Sequence, residues 1–151
     1  MGFLEKRRGT GAAPAAAGTG GGGTTATTTK APTTKATGDA AEDRALAHLQ
    51  SAGLRLLSRN YRTPGRGGGE IDLVMRDRDG TLVFVEVRQR KGTAHGGAAA
   101  SIGATKRRRI VFAARHYLMR LGTPPPCRFD AVLVEAGAVT WLQAAFDADG
   151  A

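Results

Sequence analysis

Read for the spacing of hydrophobic and polar positions, the chain divides into an unpatterned N-terminal stretch and a patterned body. Asp39 to Ala52 reads as a helix, because Leu46 and Leu49 stand at i, i+3 with Ala41, Ala45 and Ala52 beside them. Asp39 is its expected N-cap and Gly53 its stop. Leu54 to Tyr61 follows as a strand, then a Gly/Pro loop to Gly69 that brings Arg62 and Arg66 to the surface. Glu70 to Asp77 alternates, with Ile71, Leu73 and Met75 on one face and Glu70, Asp72 and Val74 on the other. Thr81 to Arg90 alternates too, setting Val83, Val85 and Val87 opposite Phe84, Glu86, Arg88 and Arg90. Ser101 to Leu121 reads as a long helix, capped by the Ser101 hydroxyl, with Ile102, Ile110, Ala113, Ala114, Tyr117, Leu118 and Leu121 turned inward. Arg128 to Glu135 and Val139 to Leu142 close the body as two strands. The order α-β-β-β-α-β-β predicts an α/β domain: a central mixed sheet flanked by helices.

One connection can be read in more detail. Arg78-Asp79-Gly80 suits a three-residue hairpin loop, a type I turn followed by Gly80 in the left-handed conformation. Asp77 then pairs with Thr81, which sets Asp72 directly opposite Glu86 on one face. The same register groups Ile71 and Leu73 with Val85 and Val87, whereas a shift of one residue would mix carboxylates with valines. Two carboxylates about 5 Å apart at the β-carbon repel one another. Either they lie on a solvated face neutralised by Arg88 and Arg90, or they hold a divalent cation. Mg²⁺ takes hard oxygen ligands of this kind, together with water and a substrate phosphate. Such an ion polarises a phosphodiester and lowers the pKa of its bound water. Arg88, two residues beyond Glu86, projects to the same side and could stabilise charge on the phosphate.

Composition and charge narrow the function. Of residues 1–37, 28 are Gly, Ala, Thr or Pro, so this segment is expected to be a disordered tail, leaving 38–151 as the domain. The formal charge is +9, of which the tail carries +4 and the body only +5. The total favours a polyanionic partner, a nucleic acid first of all, but the body alone is only moderately basic, so nucleic-acid binding cannot rest on total charge. The single cysteine, Cys127, excludes an internal disulfide framework and a cysteine-based zinc finger, and reads as a small structural residue. No apolar run is long enough to span a membrane, and no apolar stretch follows the basic N-terminus as in a secretory signal. The expectation is a cytoplasmic protein with no membrane partner.

Asp72, followed by Glu86-Val87-Arg88, resembles the D…(D/E)-x-K signature of the PD-(D/E)XK nucleases. The wider text is more specific. Gly69-Glu70-Ile71-Asp72-Leu73-Val74, Val83-Phe84-Val85-Glu86-Val87-Arg88, Gly96-Gly97-Ala98-Ala99-Ala100-Ser101-Ile102 with Lys106, and Cys127-Arg128-Phe129-Asp130-Ala131-Val132 closely resemble the YraN family of bacterial proteins. The resemblance covers residues 38 to about 147. It implies a restriction-endonuclease-like fold, similar to that of archaeal Holliday-junction resolvases. It also implies a metal site for Mg²⁺ or Mn²⁺ built from Asp72 and Glu86, joined by Glu42 from the first helix. Resolvase-like relatives further imply a homodimer that cuts two strands. Arg88 stands where the superfamily has lysine. A guanidinium does not give up its proton at neutral pH, so Arg88 is restricted to clamping a phosphate.

The remaining features are weighed against plainer readings. Lys106-Arg107-Arg108-Arg109 sweeps round its helix, so only part of it can face one surface. Lys106, with Arg109 at i+3, is the first choice for phosphate contact, together with Arg88 and Arg90. Such contacts position a backbone without reading sequence. His95 reads as a loop histidine, and Arg128 with Asp130 as a surface ion pair. Gly65-Arg66-Gly67-Gly68-Gly69 lacks a Walker ending, and neither a nucleophile triad nor an aromatic stacking platform can be assigned. The expected function is nucleic-acid binding, DNA foremost, with Mg²⁺- or Mn²⁺-dependent endonuclease activity. Asp72, Glu86 and Arg88 are its expected catalytic residues and Glu42, Asp72 and Glu86 its metal site. The alternative is a non-catalytic interaction module that uses the basic face of the same fold to bind a protein or RNA.

Overall fold

The computed structural model describes residues 31, 33–90 and 102–150. The chain separates into two units, Met1–Ala31 and Pro32–Ala151, and the described architecture belongs to the second. The tail expected over 1–37 therefore lies largely outside the described residues, as do the Lys91–Ala100 loop with His95, and Ser101.

The elements are α1 (Thr34–Ser51), β1 (Arg55–Arg62), β2 (Glu70–Arg76), β3 (Leu82–Arg90), α2 (Ala104–Leu118), β4 (Cys127–Glu135) and β5 (Ala138–Phe146), with a short 3-10 turn at Ala148–Gly150. They form the expected α/β arrangement. The five-stranded sheet runs β1-β2-β3-β4-β5. Its pairs are antiparallel except β3 with β4, whose parallel connection requires a crossover, and α2 supplies it. No helix among the described residues is long and apolar enough to cross a membrane.

Local chemistry sets the element ends. α1 starts earlier than its hydrophobic spacing suggests, because Thr33 caps it, accepting the Ala36 N–H at 3.3 Å. Asp39, the expected cap, instead lies inside the helix and pairs with Lys35 at 2.9 Å. At the other end Gly53 has φ +102°, and the Gly53 and Leu54 amides bond back to Gln50 and Leu49, a Schellman ending. α2 starts at Ala104 with Gly103 at the N-cap position, three residues later than expected. Ala136 and Gly137, both at positive φ, make the two-residue turn between β4 and β5. β5 runs four residues beyond its expected end, to Phe146. Its pairing with β4 shifts where the Ala144 amide donates to the Asp130 carboxylate at 2.9 Å, and resumes at Phe129↔Phe146.

Both faces of the sheet are covered, one by α2 and the other by α1. One core joins Ile110, Ala113 and Ala114 of α2 to Val74, Phe84, Phe129 and Ala131. The other joins Ala41, Ala45 and Leu49 of α1 to Leu73, Met75, Val83, Val85, Val132 and Val134. At β2 the expected alternation fails at one place. Ile71 belongs to the α2-side core and Leu73 to the α1-side core, so they do not share a face. The adjoining strand shows the cause. Tyr61 pairs with Ile71 and Arg59 with Leu73, and between them Asn60 takes φ +48°. That left-handed residue turns Tyr61 into the α2-side core while Arg59 reaches α1, and β2 follows.

Two other expectations are corrected. Arg128 and Asp130 are not a surface pair: Asp130 is fully buried and is bonded to Arg128, to the Trp141 indole at 2.9 Å and to the Ala144 amide. Cys127, expected to be a small structural residue, is free and exposed at the first position of β4.

Candidate functional site

The hairpin that carries the acidic pair has the expected register. Arg76↔Leu82, Met75↔Val83, Val74↔Phe84 and Leu73↔Val85 are its paired residues, closed by the Asp77 amide on Thr81 at 2.9 Å and by Gly80 at φ +92°. Continuing that register sets Asp72 against Glu86. Here the regular pairing gives way to a side-chain bond: the Val87 amide donates to Asp72 Oδ2 at 2.7 Å. A second constraint comes from Gly69. Any β-carbon there would overlap the Arg109 carbonyl of α2, so glycine is what lets β2 begin against the helix.

Glu86 is the buried centre of the site, its side chain 4% exposed. Lys106 Nζ of α2 lies 3.2 Å from its Oε2, and Arg88 Nε lies 3.5 Å from its Oε1. Burial, and then the charge of Asp72, raises the Glu86 pKa to about 7 against the pull of Lys106 and Arg88. Burial likewise raises Asp72, opposed first by the Val87 amide and then by Lys106. Glu42 on α1 is raised by burial and by the Asp72 charge. Asn60 Nδ2 at 3.3 Å and Arg59 at 3.5 Å hold its carboxylate. Arg59 also pairs with Asp43 at 2.9 Å.

The structure therefore brings Asp72, Glu86, Arg88 and Lys106 together, with Glu42 near enough for its charge to be felt. Among the described residues no three His, Cys, Asp or Glu side chains converge as a metal cage, so what is assembled is a carboxylate pair. Arg90 lies at the far end of β3, beside Glu135 of β4. Arg109 is exposed one turn along α2 from Lys106. The basic run around it is divided in use. Lys106 enters the site, whereas Arg107 binds the Ile102 carbonyl at 2.8 Å and lies over the Phe146 ring. Sequence spacing did not single out Asn60 or Arg59. The available signal was an asparagine inside a strand-like run, since asparagine tolerates the left-handed region better than most residues.

Comparison with known proteins places the chain in a family. The family described as "Uncharacterised protein family UPF0102" matches residues 41–134. The chain belongs to UPF0102. It is 81% identical over 116 residues to a UPF0102 protein of Paracidovorax citrulli, covering 77% of this chain and 86% of the relative. It is also 61% identical over 148 residues to one of Acidovorax sp. (strain JS42), covering 98% and 99% of the two chains. The stretch matched to UPF0102 contains Glu42, Asp72, Glu86, Arg88, Arg90, Lys106 and Arg109, and it ends within β4.

The donor set fits a hard divalent cation. Mg²⁺ and Mn²⁺ favour one or two carboxylates with water completing the shell. Here two desolvated carboxyls are held side by side, and the charge of Asp72 adds to the cost of ionising Glu86. A cation between them would relieve that cost.

Proposed function

We propose that this protein binds nucleic acid, DNA foremost, and cleaves its phosphodiester bonds as a metal-dependent endonuclease of the PD-(D/E)XK type. The observation that supports it best is the juxtaposition of Asp72 and Glu86 where β2 and β3 part, with Lys106 and Arg88 on the buried glutamate. Asp72 and Glu86 would hold Mg²⁺ or Mn²⁺. When bound, the ion supplies Lewis-acid polarisation of the phosphate and a water of lowered pKa. The chain's own residues do the rest. Asp72 is oriented by the Val87 amide. Glu42, held by Asn60 and Arg59, adds negative charge beside Asp72 from α1. Arg88 grips a phosphate oxygen and stabilises developing charge, and its guanidinium takes no part in proton transfer. Arg90, Lys106 and Arg109 contact the backbone nearby, and a homodimer would present two such sites to two strands.

The test is cleavage of labelled linear, single-stranded, flap and four-way-junction DNA, and of structured RNA, with Mg²⁺ or Mn²⁺. EDTA and Asp72→Asn run beside the wild type. Cleavage that requires metal and vanishes in Asp72→Asn is the expected result. The departure at Arg88 favours a second reading, a non-catalytic module that binds a protein or RNA through its basic face. Binding with no cleavage on any substrate would establish that reading instead.

A further inference from the structure

Lys106 has a place in the site that a backbone-contacting lysine does not need. Its ammonium lies 3.2 Å from Glu86 Oε2, on a carboxylate almost wholly withdrawn from water. The stem crosses from the first turn of α2 to the middle of β3, and the side chain keeps one third of its surface exposed. Arg88 approaches the other oxygen of the same carboxylate from within β3. Asp72 stands beside Glu86 and contributes a second negative charge that Lys106 also attracts. A buried carboxylate pair is costly without a nearby cation, and α2 delivers one.

We propose that Lys106 is the resident counter-cation of the Asp72–Glu86 pair, and that a divalent metal ion must displace it from Glu86 to bind. The inference rests on the metal-site reading above and adds to it: Lys106 sets how tightly the site takes its ion. The exposed part of the side chain gives the ammonium a way out toward solvent and toward whatever phosphate approaches. Arg88 is the weaker counter-charge, since its contact with Glu86 is longer, at 3.5 Å, and it is carried on the same strand as Glu86. A positioning lysine of this kind weakens metal binding and makes it responsive to anything that draws the ammonium away. A bound polyanion does that. Nucleic acid and metal are therefore expected to bind cooperatively, each favouring the state in which Lys106 has left Glu86.

The experiment is titration of Mn²⁺ into the full-length protein, followed by the EPR signal of the free ion, for wild type, Lys106→Met, Lys106→Arg and Asp72→Asn. Methionine keeps the length and apolar stem of lysine and removes only the charge. An opposite charge this close changes a carboxylate's preference for its ionised form about tenfold or more. A divalent ion feels the removed charge twice as strongly as a competing proton, so the gain survives the rise in proton affinity. Lys106→Met is expected to bind Mn²⁺ about tenfold more tightly than wild type. Lys106→Arg should stay near wild type, and Asp72→Asn should lose binding. A short DNA duplex should tighten Mn²⁺ binding in wild type but not in Lys106→Met. If wild type binds Mn²⁺ through Asp72 while Lys106→Met binds equally or more weakly with an unchanged thermal melt, the counter-cation role is overturned and the metal site stands. Should none of the four bind Mn²⁺, the metal reading and this inference fall together.

Discussion

Two buried acids lie on neighbouring strands of the same sheet, and the protein treats them in opposite ways. Asp130 of β4 sits beside Val85, on the α1 side, while Glu86 of β3 sits beside Ala131, on the α2 side. Asp130 is fully buried and fully answered. Arg128 Nε reaches both its oxygens at 3.1 and 3.2 Å, and the Trp141 indole and the Ala144 amide each donate at 2.9 Å. Arg128 in turn bonds Asp77 at 2.8 Å, tying the β2–β3 hairpin to β4. Glu86 has a second carboxylate for a neighbour and, for partners, the side chains of Lys106 at 3.2 Å and Arg88 at 3.5 Å. A buried charge that collects fixed donors is part of the scaffold. One whose partners are flexible side chains and a like charge is poised to exchange them, which is what a site requires.

The largest expected effect separates the two directly. Asp72→Asn should lower metal-dependent cleavage by at least about 100-fold. Its thermal midpoint should not fall, because asparagine keeps an acceptor for the Val87 amide and removes a charge from beside Glu86. Asp130→Ala should do the reverse. It takes one of two carboxylates from the Arg128 guanidinium and leaves a part-buried indole N–H and an amide without their acceptor, and should cost about 3–5 kcal/mol in urea unfolding. Its Mn²⁺ affinity should match wild type at temperatures where it remains folded. Equal loss of stability in both variants would erase the distinction between scaffold and site.

The pH dependence of stability should also carry opposite signs in the two regions. The folded Glu86 has a pKa of about 7 against an ordinary 4.5, so the folded state holds its proton more tightly than the unfolded one. Its contribution is present in full below pH 4.5 and is lost as pH rises to about 7. The loss is on the order of 3 kcal/mol. Asp77 runs the other way, since its bond to Arg128, and then the Arg78 amide, lower its pKa. Its contribution is present above its ordinary value of 3.8 and disappears as pH falls below that. Urea midpoints across this range should decline toward neutrality in wild type and stay flatter in Glu86→Gln. Asp77→Asn should alter only the acid limb.

Much of the site was legible because it rests on local rules. The Arg78-Asp79-Gly80 loop sets the hairpin register, and the register sets Asp72 against Glu86. The order of elements along the chain follows from the alternation of hydrophobic and polar positions. What escaped the sequence depended on partners remote in the chain. Asp130 reads as a surface ion on its own strand, and only Trp141 and Ala144 of β5 make it a buried one. Ile71 fits an unbroken alternation, and only Asn60 across the sheet breaks it. The start of α1 was missed for a local reason: Thr33 lies in a threonine-rich stretch where no single cap stands out.

The smallest expected effect concerns Asn60, where scaffold and site meet in one residue. Its positive φ turns β1 between Arg59 and Tyr61, and its amide donates to Glu42. Glycine and alanine separate these two duties. Asn60→Gly keeps the left-handed backbone at little cost and removes the amide. Asn60→Ala removes the amide but keeps a β-carbon on that backbone, which costs about 1 kcal/mol more than glycine. Both variants should raise the Glu42 pKa further, because the Asn60 bond is the chief influence holding it down. NMR titration of the Glu42 carboxyl reads that shift, and urea unfolding reads the backbone difference. If glycine proves as costly as alanine, the Glu42 bond and not the turn is what β1 needs from Asn60. A normal Glu42 titration in both would instead detach Glu42 from the site altogether.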